Sequence, residues 1–141
     1  MKRTPEQVIW DFVQGWLKKA TGDLHAAERL LELDQVDCFA AAFHAQQAAE
    51  KFLKAFLVRH QIPFPKTHDI QDLLKLSARA DTTVEQELSS AAMMTPFGVE
   101  FRYPGDEIAD HDTAQQVLEE ARRVQAGVLR RLKDYLDRGH P

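Results

Sequence analysis

The sequence lacks the residues that several common kinds of site require. It has one cysteine, Cys38, in 141 residues, so neither an intrachain disulfide nor a cysteine-based zinc cluster can form. None of its six glycines belongs to a glycine-rich phosphate-binding motif. No set of side chains has the spacing of metal ligands. No apolar run reaches the roughly 18 residues of a transmembrane helix. We therefore expect a cytoplasmic protein that is not membrane-bound and has no metal or cofactor.

The length and net charge of the chain narrow the possible classes of protein further. Hydrophobic residues make up 44% of the chain and charged residues 28%, as in ordinary globular proteins, and the length suits one domain over residues 1–141. The net charge of -4 argues against a general coat for nucleic acid, because such binding depends on neutralising phosphates. A local basic groove remains compatible with this composition.

Helix signals run along the chain, and no alternating strand pattern is present. The segment Thr4-Pro5-Glu6-Gln7 predicts a capped helix start, and apolar residues then recur at steps of three and four from Trp10 to Leu31. Gly22 interrupts this seam, but we expect the helix to continue through it. A second helix is predicted from about Val36 to His60, before two prolines that forbid helix.

Either Asp34 or Asp37 is expected to cap the second helix. Capping signals predict three more helices after it. A short helix is predicted from Thr67-His68-Asp69 to about Ala80, another from a capping box at Thr83 to near Pro96, and a last long helix from a capping box at Thr113. Residues 96–112 are predicted to be a loop. The expected fold is all-α, an up-and-down bundle of three long and two short helices.

The polar residues of the second helix form one stripe. At 100° per residue, His44, Gln47, Lys51 and Lys54 fall within about 80° of arc on an otherwise largely apolar helix. One interpretation is that the stripe is simply a solvated face. The other is a groove for an anionic ligand, with lysine on phosphate and glutamine on a base edge or a ribose hydroxyl.

Two further polar residues of this helix are nearly surrounded by apolar neighbours. Because unpaired polar groups are costly in such a setting, we expect Gln46 and Glu50 to pair with a neighbouring helix or a dimer mate, setting register rather than function. Asp23 of the first helix is a possible partner for Lys51, although an exposed acid is an equal alternative.

The start of the third helix also has two interpretations. Free N–H groups there suit an anion near His68, whereas capping by Thr67 or Asp69 is the more common use. The dipeptides His68-Asp69 and His111-Asp112 match those of metal-dependent phosphohydrolases, but no further His and Asp ligands complete that set. In the loop, Arg102 and Tyr103 suit either base stacking with phosphate contact or a protein interface.

Four segments, in order, resemble the HEPN-domain family. Residues 43–55, Phe43 to Ala55, resemble its hallmark helix, and Ala20–Leu24 resembles a first-helix segment that carries an acidic residue. Thr67–Ile70 resembles its Thr-His-Asp-Leu element, and Phe101–Pro104 its Arg-Tyr-Pro turn. The resemblance implies an all-α homodimer that binds a nucleotide or nucleic acid beside a minimal nucleotidyltransferase, in a prokaryotic toxin–antitoxin-like pair.

One branch of that family consists of metal-independent ribonucleases, which pair an arginine with a histidine that follows it closely. Here eight residues separate Arg102 from His111, and eight separate Arg59 from His68. The resemblance therefore implies a binding role without catalytic residues. Two alternatives stay open: a ribonuclease toxin with the non-standard pair Arg102 and His111, and a purely structural module that binds another protein.

Overall fold

The computed structural model describes residues 2–33, 37–98 and 109–141 and consists of helices. No strand occurs in these ranges. The five α-helices are α1 (Pro5–Leu31), α2 (Cys38–Arg59), α3 (Ile70–Ser77), α4 (Thr83–Leu88) and α5 (His111–Arg138), and a 3-10 helix, Ser89–Phe97, follows α4. The predicted all-α fold of three long and two short helices is confirmed.

The start of α1 follows the sequence prediction. The Gln7 backbone N–H donates to the Thr4 hydroxyl at 3.2 Å, and the Thr4 N–H donates to the Gln7 side-chain oxygen at 2.9 Å. This reciprocal capping box satisfies two of the N–H groups that a helix start leaves free. The helix then runs through Gly22 to Leu31, as expected, so its packed face offsets the cost of a mid-helix glycine.

Helix α2 is the centre of the bundle and packs against both α1 and α5. Asp37 rather than Asp34 caps it, accepting the Ala40 N–H at 2.9 Å. Most of its surface is covered, as its composition predicts. The fully covered alanines on this helix are Ala41, Ala42, Ala45, Ala48, Ala49 and Ala55. Such small residues let neighbouring helices approach α2 closely.

Two of the predicted capping boxes are wrong. Asp81 accepts both the backbone N–H of Thr83, at 2.9 Å, and its hydroxyl, at 2.6 Å, so Thr83 is the first residue of α4 rather than its cap. Asp110 accepts the Thr113 N–H at 2.7 Å, and α5 begins at His111. Asp110 is therefore the N-cap of α5, whereas the N-cap of α4 is Thr82, whose side chain makes no capping hydrogen bond.

The short helices cover one side of α2. Asp69 caps α3 by accepting the N–H groups of Gln71 and Asp72, and α3 ends at Ser77, slightly before the predicted Ala80. The helix predicted to continue to Pro96 ends at Leu88 and becomes the 3-10 helix. Within the described ranges, no helix has the length and apolar character needed to cross a membrane.

Candidate ligand-binding network on the second helix

The polar stripe of α2 faces α1 and is not a freely solvated surface. Asp23 lies on α1 and contacts two stripe residues at once. Its Oδ1 is 3.0 Å from His44 Nδ1, and its Oδ2 accepts a hydrogen bond from Lys51 Nζ. The His44 side chain keeps 35% of its surface exposed and Lys51 keeps 21%. We call Asp23, His44 and Lys51 the outer cluster.

A second carboxylate organises the deeper part of the stripe. Glu50 Oε2 accepts from Lys54 Nζ at 3.2 Å, one helical turn along α2, and Glu50 Oε1 is 2.7 Å from His68 Nδ1. Glu50 and Lys54 are both buried, whereas the His68 ring is mostly exposed. We call Glu50, Lys54 and His68 the inner cluster.

Aromatic rings enclose the buried ammonium group of the inner cluster. Lys54 Nζ lies 5.5 Å from the Trp16 ring centroid and 5.6 Å from that of Phe64. The two rings meet edge to face, with centroids 6.4 Å apart. A cation over aromatic faces is stabilised by their negative quadrupoles. Lys54 is therefore held by Glu50 on one side and by two rings on the other.

Two glutamines connect the stripe to the start of α3. Gln47 Nε2 donates to Gln46 Oε1 at 2.8 Å, and Gln46 Nε2 donates to the His68 backbone oxygen at 3.0 Å. Gln46 is completely buried, and Gly98 lies directly against it: a Cβ at Gly98 would be only 2.9 Å from Gln46 Nε2. The glutamines thus fix the segment that carries His68 onto α2.

The structure brings most of the sequence-predicted polar residues into two hydrogen-bonded groups. One is the outer cluster of Asp23, His44 and Lys51. The other joins the inner cluster to the two glutamines and contains Gln46, Gln47, Glu50, Lys54 and His68. Asp69 stands apart as the cap of α3. Arg102 and Tyr103 lie outside the described residues. Gln46 and Glu50 were predicted to pair with a neighbouring helix or a dimer mate; both contact His68, which lies in the segment between α2 and α3.

Sequence reasoning missed Trp16, Phe64 and Gly98 as members of this environment. The two aromatic residues come from α1 and from the segment after α2, so no local spacing relates them to Lys54. The sequence held one usable signal: Phe64 lies between two prolines, which fix the backbone and so hold a ring in place.

The dipeptides considered for metal chemistry have other roles here. His68 contacts Glu50, whereas Asp69 turns to its own helix start. No group of three or more His, Cys, Asp or Glu side chains in the described part of the chain is arranged to hold a metal ion. His111 is the exposed first residue of α5, and Arg102, its partner in the ribonuclease alternative, is outside the described ranges.

The fold and the network define a class of helical bundle in which a central helix carries paired charges along one covered face. A family model described as HEPN domain matches residues 13–131. The chain therefore belongs to the HEPN family.

The chain was also compared with solved structures and with curated proteins. The crystal structure of TT1696 from Thermus thermophilus matches with a TM-score of 0.69 and 30% identity, covering 82% of this chain and 94% of that one. No curated protein matches the chain. The structural match agrees with the family model on the bundle as a whole.

Proposed function

We propose that this HEPN protein is the non-catalytic, cytoplasmic partner of a minimal nucleotidyltransferase. In this proposal it forms a homodimer, belongs to a toxin–antitoxin-like pair and binds a nucleotide or a nucleic acid through the polar stripe of α2. Family membership supports the class of protein, and the resemblance of residues 43–55 to the hallmark helix supports the choice of surface.

The observation that carries this proposal is the geometry of the outer cluster. Asp23 engages one donor of the Lys51 ammonium group and the Nδ1 atom of His44. An ammonium group has three N–H donors and an imidazole has two nitrogens. No hydrogen bond occurs among the described residues for the remaining donors of Lys51 or for the Nε2 atom of His44. The Lys51 donors are left for a phosphate, and His44 Nε2 is left for a polar contact with the ligand.

The stripe divides into residues that contact the ligand and residues that support them. Lys54 is buried, paired with Glu50 and enclosed by rings, so we assign it to support rather than to phosphate contact. Gln47 is half-buried on the same stripe as Lys51 and has the groups to read a base edge or a ribose hydroxyl. His68, exposed beside Glu50, extends the surface toward α3.

The same geometry determines which substitution tests the proposal. Lys51→Glu would place a carboxylate against Asp23 in a partly buried site, so the variant would lose stability by like-charge repulsion. Lys51→Met removes the charge and keeps the length of the side chain. Lys75→Met is a matched control, because Lys75 is exposed on α3 and far from the stripe in sequence.

Calorimetric titration with nucleoside di- and triphosphates and with short RNA provides the measurement. Loss of one charge-assisted hydrogen bond predicts a roughly ten- to hundredfold weaker affinity in Lys51→Met, with Lys75→Met unchanged and both variants fully helical by circular dichroism. Equal affinity in Lys51→Met and the native protein would remove the stripe as the binding surface. Metal-independent RNA cleavage that is lost in His111→Ala would instead support the ribonuclease alternative.

A further inference from the structure

A second basic pocket lies at the end of the bundle where α1 begins and where α2 and α5 end. Its volume is about 390 Å³, and it is lined by Glu6, Ile9, Arg59, Gln61, Tyr135, Arg138, Gly139, His140 and Pro141. The lining contains none of His44, Gln47, Lys51 and Lys54, and Arg59 lies about two helical turns beyond Lys51 along α2. The pocket is therefore separate from the polar stripe.

The two arginines of this pocket have no carboxylate partner. Five other arginines form ion pairs, among them Arg122 with Glu28 and Arg130 with Glu87, whereas among the described residues Arg79 and Arg123 form none. Across the described ranges, neither Arg59 nor Arg138 forms such a pair. Each lies in the last turn of its helix, where a cation favours the carbonyl end. That effect acts on each helix separately and does not account for two guanidinium groups lining one pocket.

The aromatic residue of this pocket has an unsatisfied hydroxyl group. The Arg59 guanidinium carbon lies 4.2 Å from the Tyr135 ring centroid. The Tyr135 hydroxyl is closed to solvent and has no hydrogen-bond partner among the described residues. Burial raises the pKa of Tyr135, against the opposing charges of Arg59 and Arg138, so the hydroxyl keeps its proton at neutral pH. A buried donor without an acceptor is uncommon in folded proteins and calls for an explanation.

A fixed turn forms one side of the pocket. Gly139 has φ +80°, in the left-handed region that favours glycine. This turn brings the His140 ring to 5.9 Å from Trp10, edge to face, and the Pro141 carbonyl oxygen accepts a hydrogen bond from Gln7 Nε2 at 3.2 Å. Residues 139–141 are thus held against α1, and the wall of the pocket is in place without a ligand.

We propose that this pocket binds a small molecule carrying a phosphate monoester, of about the size of a nucleoside monophosphate. Arginine forks match the oxygens of a phosphate, and a pocket of this volume is at the lower end of the range for small-molecule sites. Arg59 and Arg138 hold the phosphate, and the Tyr135 hydroxyl donates a hydrogen bond to a phosphate oxygen once Arg59 turns from the ring to the ligand.

The experiment is a calorimetric titration with adenosine 5′-monophosphate, with adenosine as the probe that lacks phosphate. We expect the monophosphate to bind and adenosine to bind at least about tenfold more weakly, because two charged contacts are absent. The double variant Arg59→Ala, Arg138→Ala should lose this preference. Arg123→Ala is the matched control, an exposed arginine on α5 about four turns from Arg138, and should bind as the native protein does.

Two further variants keep the test decisive. Tyr135→Phe preserves the ring and should weaken monophosphate binding several-fold while the melting temperature is maintained. Lys51→Met, which disables the stripe, should leave binding at this pocket intact. Equal binding of monophosphate and adenosine, unchanged binding in the double variant, or loss of binding in Lys51→Met alone would each overturn the inference. The last result would place the ligand on the stripe.

Discussion

Lys54 and Arg131 both have largely covered side chains, but their surroundings are opposite. The Lys54 side chain is 10% exposed and that of Arg131 is 9% exposed. Lys54 pairs with Glu50, which is only 4% exposed, whereas Arg131 pairs with Asp81 and Glu87, which are 34% and 36% exposed. The comparison therefore holds the burial of the cation nearly constant and changes the burial of the anion.

The difference shows where an ion pair is costly to disturb. A carboxylate in contact with water keeps most of its hydration when its partner is lost, so exposed pairs contribute little. A buried pair has lost that hydration on both sides, and removal of one member leaves the other charge without solvent or partner. The inner cluster is thus a point of fold specificity, while the Arg131 pairs join α4 to α5 at the surface.

The largest expected effect is on the inner cluster. Glu50→Leu leaves the Lys54 ammonium group buried between Trp16 and Phe64 without a counter-charge. We expect the free energy of unfolding to fall by about 3–5 kcal/mol, measured by urea denaturation. The double variant Glu50→Leu, Lys54→Met should recover most of this loss, because neither charge remains. A loss below about 1 kcal/mol in the single variant would mean that Lys54 reaches water, and the contrast with Arg131 would disappear.

A smaller effect is expected from crowding beside the inner cluster. Gly98→Ala would place a Cβ within 2.9 Å of the Gln46 amide, which is buried and hydrogen-bonded to the His68 segment. We expect a loss of about 1–3 kcal/mol in the same assay. Gly22→Ala is the control, since nothing lies within 4 Å of its Cβ, and it should gain about 0.5–1 kcal/mol as a mid-helix replacement. An equal change in the free energy of unfolding of the two variants would show that the Gln46 side chain moves aside without cost.

The smallest effect is expected at the surface pairs, and it depends on pH. Hydrogen bonds from Thr83 lower the pKa of Asp81 below 3.8, and hydrogen bonds from Arg130 and Arg131 lower that of Glu87 below 4.5. Because the folded pKa values are the lower ones, the stabilisation is complete above about pH 4.5 and is lost as the pH falls through the folded values.

Arg131→Met tests this linkage. It should lower the free energy of unfolding by about 1–2 kcal/mol at pH 7, and the difference from the native protein should shrink at pH 3. Urea is the suitable denaturant because it does not screen charges. Arg131 also donates a hydrogen bond to the Gly127 carbonyl oxygen at 3.0 Å. A difference that stays constant between pH 7 and pH 3 would attribute the loss to packing and to this bond rather than to the carboxylates.

Local patterns predicted most of the fold. The capping box at Thr4 is confirmed because its two partners are three residues apart and form their hydrogen bonds within one turn. The boxes at Thr83 and Thr113 are wrong because Asp81 and Asp110 compete for the same N–H groups. A capping pattern is thus reliable only when no stronger acceptor precedes it.

The sequence predicted which residues belong to the candidate site, but not most of the contacts between them. Helical periodicity placed His44, Gln47, Lys51 and Lys54 on one stripe, and this grouping needs only the rotation per residue. The pairing of Lys54 with Glu50, four residues apart on α2, also follows from spacing. Which of the stripe residues meets Asp23 depends instead on how α1 lies against α2, and the enclosure of Lys54 depends on rings from two other segments. Such contacts come from tertiary packing, which no spacing within one helix encodes.

The alanines buried along α2 have a consequence for the entropy of binding. Alanine has no side-chain rotamers to lose, so these positions of the helix become ordered without a rotamer penalty. The long side chains that do have rotamers, such as Lys51 and Gln47, are already ordered by Asp23 and Gln46 in the free protein. A ligand that meets this face would therefore find its contacts preorganised, and less of its binding energy would be needed to immobilise them.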